Sequence, residues 1–233
     1  MCVPRIDLLC LPCAGASATT YLRWRRLLPE WIRVVAVELP GRGARLGEPF
    51  VENFEALVAQ LCDEQAQALA GRCALFGHSM GALLAYGIAQ QQRVGSRPTP
   101  QALFVAASPA PSQRDPGRFA DKDDDAQLMA DLRKQGGTPD AVFESPEMLR
   151  ITVDALRADY RVCASFRATA RAPLPLPVHA FGGRQDDIAV ARIAAWRHEA
   201  RTQFSLDWFE GGHFFIRQNE AQVLSTIVRE LQS

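Results

Sequence analysis

The chain is poor in net charge, in lysine, in histidine and in any leader-like start, and each deficit narrows what it does. Its 26 basic and 26 acidic residues cancel over 233 residues, so no global field draws it to nucleic acid or to an anionic membrane. A charged partner must therefore be met locally. Lys122 and Lys134 are the only lysines, an arginine bias that records genome composition more than mechanism. Met1 to Cys10 carries no basic segment leading into a long apolar region, and Asp7 interrupts what could have been one. That start predicts a cytoplasmic protein. The cysteines at positions 2, 10, 13, 62, 73 and 163 form no disulfide-rich pattern, and most sit among residues expected to be buried, so they read as reduced thiols. Cys10-Leu-Pro-Cys13 has the spacing of a redox dithiol, but Cys10 falls in the apolar run Leu8–Leu11, and a thioredoxin-like domain would leave most of the chain unexplained.

What is present is core. At 48% hydrophobic and 22% charged residues the composition is that of a globular domain, and one domain with an insertion is the expected organisation. Apolar runs at Ile6–Leu11, Arg33–Leu39, Cys73–Phe76, Ala102–Ala107, Pro177–Phe181 and Phe204–Phe209 read as strands. Amphipathic stretches at Thr19–Leu28, Asn53–Ala70, Met80–Gln92, Val190–Ala200 and Glu220–Leu231 read as helices between them. This alternation predicts an α/β fold with a mostly parallel central sheet flanked by helices. Residues 112–171 break the rhythm. The segment opens with polar runs and then shows helical spacing over Asp125–Gln135, Pro146–Asp154 and Ala155–Ala168, with Gly136-Gly-Thr-Pro139 as a break. A helical insertion after the fourth strand suits a lid, a partner surface or a fixed cap.

Cys73 to Gln92 contains no Asp, Glu, Lys or Arg. His78, Ser79 and three consecutive glutamines make it a strand, a turn and a helix instead of a membrane span. At the junction stands Gly77-His-Ser-Met-Gly81. A G-x-S-x-G between a strand and a helix holds serine on a sharp turn above a sheet, with the next backbone N–H free to bind an oxyanion. Such a serine needs a base and an acid downstream, in the order Ser, Asp or Glu, His. Of the four histidines, His78 and His179 precede any suitable acid and His198 lies within a helical stretch, which leaves His213 in the loop Glu210-Gly-Gly-His213. The acid is expected in Gly182-Gly-Arg-Gln-Asp-Asp187. Asp187 is placed to cap the following helix, so Asp186 is assigned as the acid, with Asp187 as the alternative. The small-residue loop Pro12–Ser17 after the first strand supplies a second oxyanion donor, making Ala14 and Met80 the expected backbone pair.

Taken together, these segments resemble the type II thioesterases of the α/β-hydrolase fold that accompany nonribosomal peptide and polyketide synthetases. The resemblance spans nearly the whole chain. It rests on Leu11-Pro-Cys-Ala-Gly-Ala-Ser with Tyr21 and Trp24, and on Glu38-Leu-Pro-Gly-Arg-Gly-Ala-Arg with Glu48-Pro49. Gly77-His-Ser-Met-Gly, Leu132-Arg-Lys-Gln-Gly-Gly-Thr-Pro, Leu156-Arg-Ala-Asp-Tyr, Phe181-Gly-Gly-x-x-Asp186 and Gly211-Gly-His-Phe-Phe complete it. Cys13 stands where the family usually carries histidine or an aromatic residue, and Ala16 where a second glycine is common. The resemblance implies a catalytic set of Ser79, Asp186 and His213, oxyanion contacts at Ala14 and Met80, and a mobile helical lid. It implies hydrolysis of short, misprimed acyl thioesters from the phosphopantetheine arm of a carrier protein, with no metal or cofactor bound by the enzyme itself. Acidic carrier helices would meet arginines such as Arg23, Arg25, Arg26, Arg42 and Arg45, with Arg42 and Arg45 favoured. A monomer is expected. Two other readings stay open: release or shuttling of an intermediate or medium-length fatty acyl chain, and a non-catalytic carrier-binding protein that keeps only the fold.

Overall fold

The computed structural model describes residues 4–115, 117–119, 122–169 and 171–232. In chain order the elements are β1 (Ile6–Leu11), α1 (Trp24–Leu27), β2 (Ile32–Ala36), α2 (Phe54–Glu64), α3 (Ala66–Ala70), β3 (Cys73–His78), α4 (Met80–Val94) and β4 (Leu103–Ala106). They continue through α5 (Asp125–Gln135), α6 (Asp140–Glu144), α7 (Pro146–Ser165), β5 (Val178–Gly183), α8 (Val190–Ala194), β6 (Phe204–Phe209), α9 (Phe215–Gln218) and α10 (Glu220–Gln232).

The six strands form one sheet in the order β2-β1-β3-β4-β5-β6, and each of the five pairs is parallel. Helices cover both faces, which is why β3, β4 and β5 read as unbroken apolar runs: every residue in them is buried. One apolar layer packs α2, α4 and α8 against the sheet, and the other packs α1, α9 and α10. Within the second layer Tyr21, Trp24 and Phe76 meet edge-on at 4.9–5.8 Å between ring centroids. Burying such a side chain is worth about 1.5–3 kcal/mol. The strand order reverses direction at β1, so a crevice opens between the carboxyl ends of β1 and β3, where α/β sheets bind their ligands.

Several elements differ from the sequence pattern. Thr19–Leu28 is a 3-10 turn at Ala18–Tyr21 followed by α1. Asn53–Ala70 is divided at Gln65, whose φ of −98° and ψ of 13° leave the helical basin between α2 and α3. Residues 146–165 form a single helix, α7. No glycine or proline interrupts it after Pro146, and Arg157 pairs with Asp154 across the expected boundary at 2.7 Å. β2 stops at Ala36: Val37 still donates to the Cys10 carbonyl, and Pro40, with no N–H, soon follows.

Helices α5, α6 and α7 lie between β4 and β5 and share an apolar cluster of Leu128, Leu132, Val153, Leu156 and Tyr160, against which Ala14 packs from the body. The end of α7 joins the main core. Phe166 meets Phe54 edge-on at 4.9 Å, and the Ser165 hydroxyl accepts the Phe54 N–H at 2.7 Å. Among the described residues no helix is long and apolar enough to cross a membrane.

Candidate active site

β3 delivers the chain into a turn that only a particular sequence can make. Ser79 has φ 55° and ψ −110°, a conformation L-residues rarely adopt, and its N–H is held by the Ala106 carbonyl at 2.8 Å. The turn closes because its flanking glycines lack side chains: a Cβ on Gly77 would lie 2.1 Å from the Gly81 carbonyl oxygen, and one on Gly81 would lie 2.1 Å from that of Leu11. Ser79 thereby becomes the N-cap of α4, at the positive end of a 15-residue helix.

The loops after β5 and β6 converge on this serine. His213 Nε2 lies 2.9 Å from Ser79 Oγ, and His213 Nδ1 lies 2.9 Å from Asp186 Oδ2. The Asp186 side chain is 3% exposed. A carboxylate accepts only, so Nδ1 carries the ring proton and the Nε2 lone pair faces the serine hydroxyl. Asp187 is directed elsewhere: its side chain is 69% exposed and pairs with Lys134 at 2.8 Å. Of the two neighbouring carboxylates, Asp186 is the one brought to the histidine.

A second histidine supports the first, a contact that sequence reasoning missed. Burial pushes His78 down to about 3, with the nearby His213 adding to the effect, so its ring is neutral. Its Nε2–H donates to the His213 carbonyl at 2.7 Å. Phe214 packs edge-on against both rings. The only signal in the sequence is the place of His78 beside Ser79 on a wholly buried strand.

Ala14 and Met80 line the same cavity as Ser79 and His213. Met80 opens α4, where backbone N–H groups have no partner within the helix. The loop carrying Ala14 is anchored at both sides. Tyr21 donates its hydroxyl proton to the Leu11 carbonyl at 2.9 Å, and Gly15 donates its N–H to Asp159 Oδ2 of α7 at 2.7 Å.

Asp159 also takes a bidentate contact from Arg42, Nη1 to Oδ2 at 2.5 Å and Nη2 to Oδ1 at 2.7 Å. Arg42 is 5% exposed, which corrects the expectation that it meets a carrier protein: its charge is spent inside the molecule. Arg45 is likewise engaged, with Glu48 and Glu64, and its side chain is 19% exposed. The family-like patterns around Arg42 and Asp159 thus mark two ends of one buried ion pair. Cys10 and Cys13 are buried free thiols. Burial pushes Cys13 up to about 12 and raises Cys10 as well, so neither is a poised thiolate. Cys2 lies outside the described residues. Among the described residues no group of three or more His, Cys, Asp and Glu side chains is gathered to hold a metal ion.

The cavity beside Ser79 is small, about 40 Å³, and is roofed by Phe119, Gln135, Tyr160 and Cys163 from the helical insertion. A serine hydroxyl in contact with a histidine that is itself paired with a carboxylate is an arrangement that can cleave an ester or thioester through a covalent acyl intermediate. Residues 7–231 match the model of the thioesterase domain. The chain belongs to the thioesterase domain family. It is 31% identical over 229 residues to the gramicidin S biosynthesis protein GrsT of Aneurinibacillus migulanus, covering 98% of this chain and 90% of that one. Among solved structures it is similar to RedJ, a thioesterase from the prodiginine biosynthetic pathway in Streptomyces coelicolor, with a TM-score of 0.90, 33% identity, and coverage of 98% and 91% of the two chains. It is similar also to BorB, the type II thioesterase from the borrelidin biosynthetic cluster, with a TM-score of 0.90, 35% identity, and coverage of 97% and 93%. The fold is therefore that of the α/β-hydrolase thioesterases, and the activity is hydrolysis of thioesters.

Proposed function

We propose that this thioesterase removes short or stalled acyl groups from the phosphopantetheine arm of carrier proteins in a nonribosomal peptide or polyketide synthetase, acting as an editing enzyme. The observation that carries the reading is the pair of 2.9 Å contacts that link Asp186, His213 and Ser79 at the carboxyl edge of the sheet.

In this reading His213 takes the Ser79 proton, the alkoxide attacks the thioester carbonyl, and the oxyanion is held by the N–H groups of Ala14 and Met80. The carrier thiol leaves with the proton that His213 returns. Water, deprotonated by the same histidine, then hydrolyses the acyl-serine. Asp186 fixes the ring orientation and stabilises the imidazolium, while His78 holds the backbone of the His213 loop. All these groups come from the chain itself, so the proposed chemistry uses no metal or cofactor; phosphopantetheine belongs to the substrate.

The narrow space beside Ser79, about 40 Å³, suits a short acyl group, while the wider spaces that share His213 and Ala14 with it, about 480 and 470 Å³, are where a longer chain would run. Acyl release from carrier proteins loaded with acetyl, propionyl and octanoyl groups, followed by mass spectrometry with wild type and Ser79→Ala, tests the proposal. Fast loss of the short groups with wild type alone is expected. Preferred release of octanoyl points to chain release instead, and carrier binding without turnover points to the scaffold reading.

A further inference from the structure

The turn that carries Ala14 can take two forms and is held in one. The Ala16 N–H donates to the Cys13 carbonyl at 3.1 Å and Gly15 has φ 73°, which together make Cys13–Ala16 a type II turn. A type I turn closes with the same hydrogen bond and differs by roughly a half-rotation of the peptide between its two central residues. Glycine adopts either form, so Gly15 permits the observed one without enforcing it. What enforces it comes from the helical insertion. The Gly15 N–H belongs to that central peptide and donates to Asp159 Oδ2 of α7 at 2.7 Å. A flipped peptide would direct the Ala14 carbonyl, another acceptor, at the carboxylate.

Asp159 is itself fixed. Its side chain is 2% exposed, and Arg42 holds both of its oxygens. Leu156, one turn earlier on α7, lies against the same glycine, where a Cβ would meet its side chain at 3.5 Å. The insertion reaches the acid loop less firmly, because the pair of Lys134 with Asp187 is exposed on both sides and contributes little. Beside the held peptide, the Ala14 N–H donates to no group among the described residues, and Ala14 lines the same cavity as Ser79. An oxyanion donor is effective when it is aimed before the charge develops. A turn free to exchange forms would leave this donor without a fixed direction.

We infer that Asp159 is a positioning residue for hydrolysis: from α7 it locks the orientation of the Ala14–Gly15 peptide, and through it the backbone donor that receives the oxyanion. The inference rests on the hydrolase reading above, with Ala14 as one of the two donors, and makes α7 a working part of the site as well as its cover.

The test separates this role from the stability of the buried ion pair by working without either charge. Arg42→Met/Asp159→Asn still offers Gly15 an acceptor, and Arg42→Met/Asp159→Leu offers none; Arg42→Met/Asp159→Ala replaces the latter if urea unfolding shows that it does not fold. With acetyl-pantetheine, the asparagine variant is expected to keep kcat within about threefold of wild type. The leucine variant should lose about ten- to hundredfold in kcat with KM nearly unchanged, less than the roughly 10²–10³ that deleting a donor outright costs. Two ligands give a second readout: the trifluoromethyl ketone analogue of acetyl-pantetheine, whose adduct with Ser79 carries an oxyanion, and S-ethyl-pantetheine, which has no carbonyl to attack. Loss of the acceptor should weaken the ketone in step with kcat and leave the thioether within about twofold. Equal kcat in the asparagine and leucine variants, or equal weakening of the two ligands, overturns the inference and leaves the hydrolase reading standing. A wild type that neither cleaves acetyl-pantetheine nor binds the ketone overturns both.

Discussion

Replacing Asp159 with asparagine strips the charge from the buried pair that ties α7 to two loops of the body. In the native molecule Arg42 directs two guanidinium nitrogens at the carboxylate, at 2.5 and 2.7 Å, and the Gly15 N–H adds a third contact at 2.7 Å. Around the guanidinium Glu38 is a second, weaker source of negative charge. Arg42 Nη1 meets the Ala16 carbonyl at only 3.4 Å, Phe50 lies 5.9 Å away, and Arg42 Nε has no partner. Asp159→Asn therefore leaves a cation at 5% exposure without its anion, a situation that costs about 3–5 kcal/mol, a large share of the roughly 5–15 kcal/mol that holds a domain folded. Arg42→Met inverts the problem by orphaning the carboxylate and should cost a similar amount. The double variant carries no buried charge and keeps an acceptor for Gly15. It should recover much of the loss, giving an interaction energy of about 2 kcal/mol or more. Urea unfolding at pH 7, with the slope checked for constancy across the four proteins, reads these values directly. A cost under about 1 kcal/mol for Asp159→Asn, or additivity within about 0.5 kcal/mol, would refute the reasoning.

Two further outcomes follow from the site. Asp186→Asn should lower kcat by about three to four orders of magnitude, because an amide no longer holds the imidazole in the required tautomer; Asp187→Asn, changed only at an exposed pair with Lys134, should stay within about twofold. Hydrolysis of an acetyl thioester by each variant checks this, and a reversed order would contradict the geometry. His78 supplies a pH test. Its pKa in the folded chain is about 3, below the 6.5 of an unconstrained histidine, so the unfolded state takes up the proton first. Stability from this group is complete above pH 6.5 and is lost as pH falls toward 3, amounting to about 2 kcal/mol by pH 5. The stability gap between wild type and His78→Gln should therefore narrow by that amount from pH 7 to pH 5; a constant gap in urea unfolding would show that His78 does not stay neutral.

How far the sequence could be read depended on the range of the interaction. The strand-turn-helix around Ser79 was legible because its determinants, Gly77, Gly81 and two apolar flanks, lie within a few residues of one another. The parallel pairing followed from strands alternating with helices, and the central strands β3, β4 and β5 from runs buried on both faces. Helix ends were harder, since Asp154 looked like a boundary and proved to be one side of a pair within α7. Asp186 and Asp187 were nearly equivalent on spacing, and the distinction came from Lys134, a residue of the helical insertion, which draws Asp187 outward. Arg42 was misjudged for the same kind of reason. Its partner is 117 positions away, and nothing local distinguishes an arginine destined for an internal carboxylate from one facing solvent. His78 was set aside as a base by its position, and its contact with the His213 carbonyl spans 135 positions and involves a backbone atom that has no sequence signature.

The central claim is that Ser79 carries the acyl group between the two halves of the reaction. Rapid mixing of the enzyme with an acetyl-loaded carrier protein, acid quenching within the first turnover, and mass spectrometry of the digested protein test it most directly. The account predicts a transient acetyl adduct on the peptide that contains Ser79, absent from Ser79→Ala. Undiminished hydrolysis by Ser79→Ala, or an adduct confined to another residue such as Cys13, would contradict it.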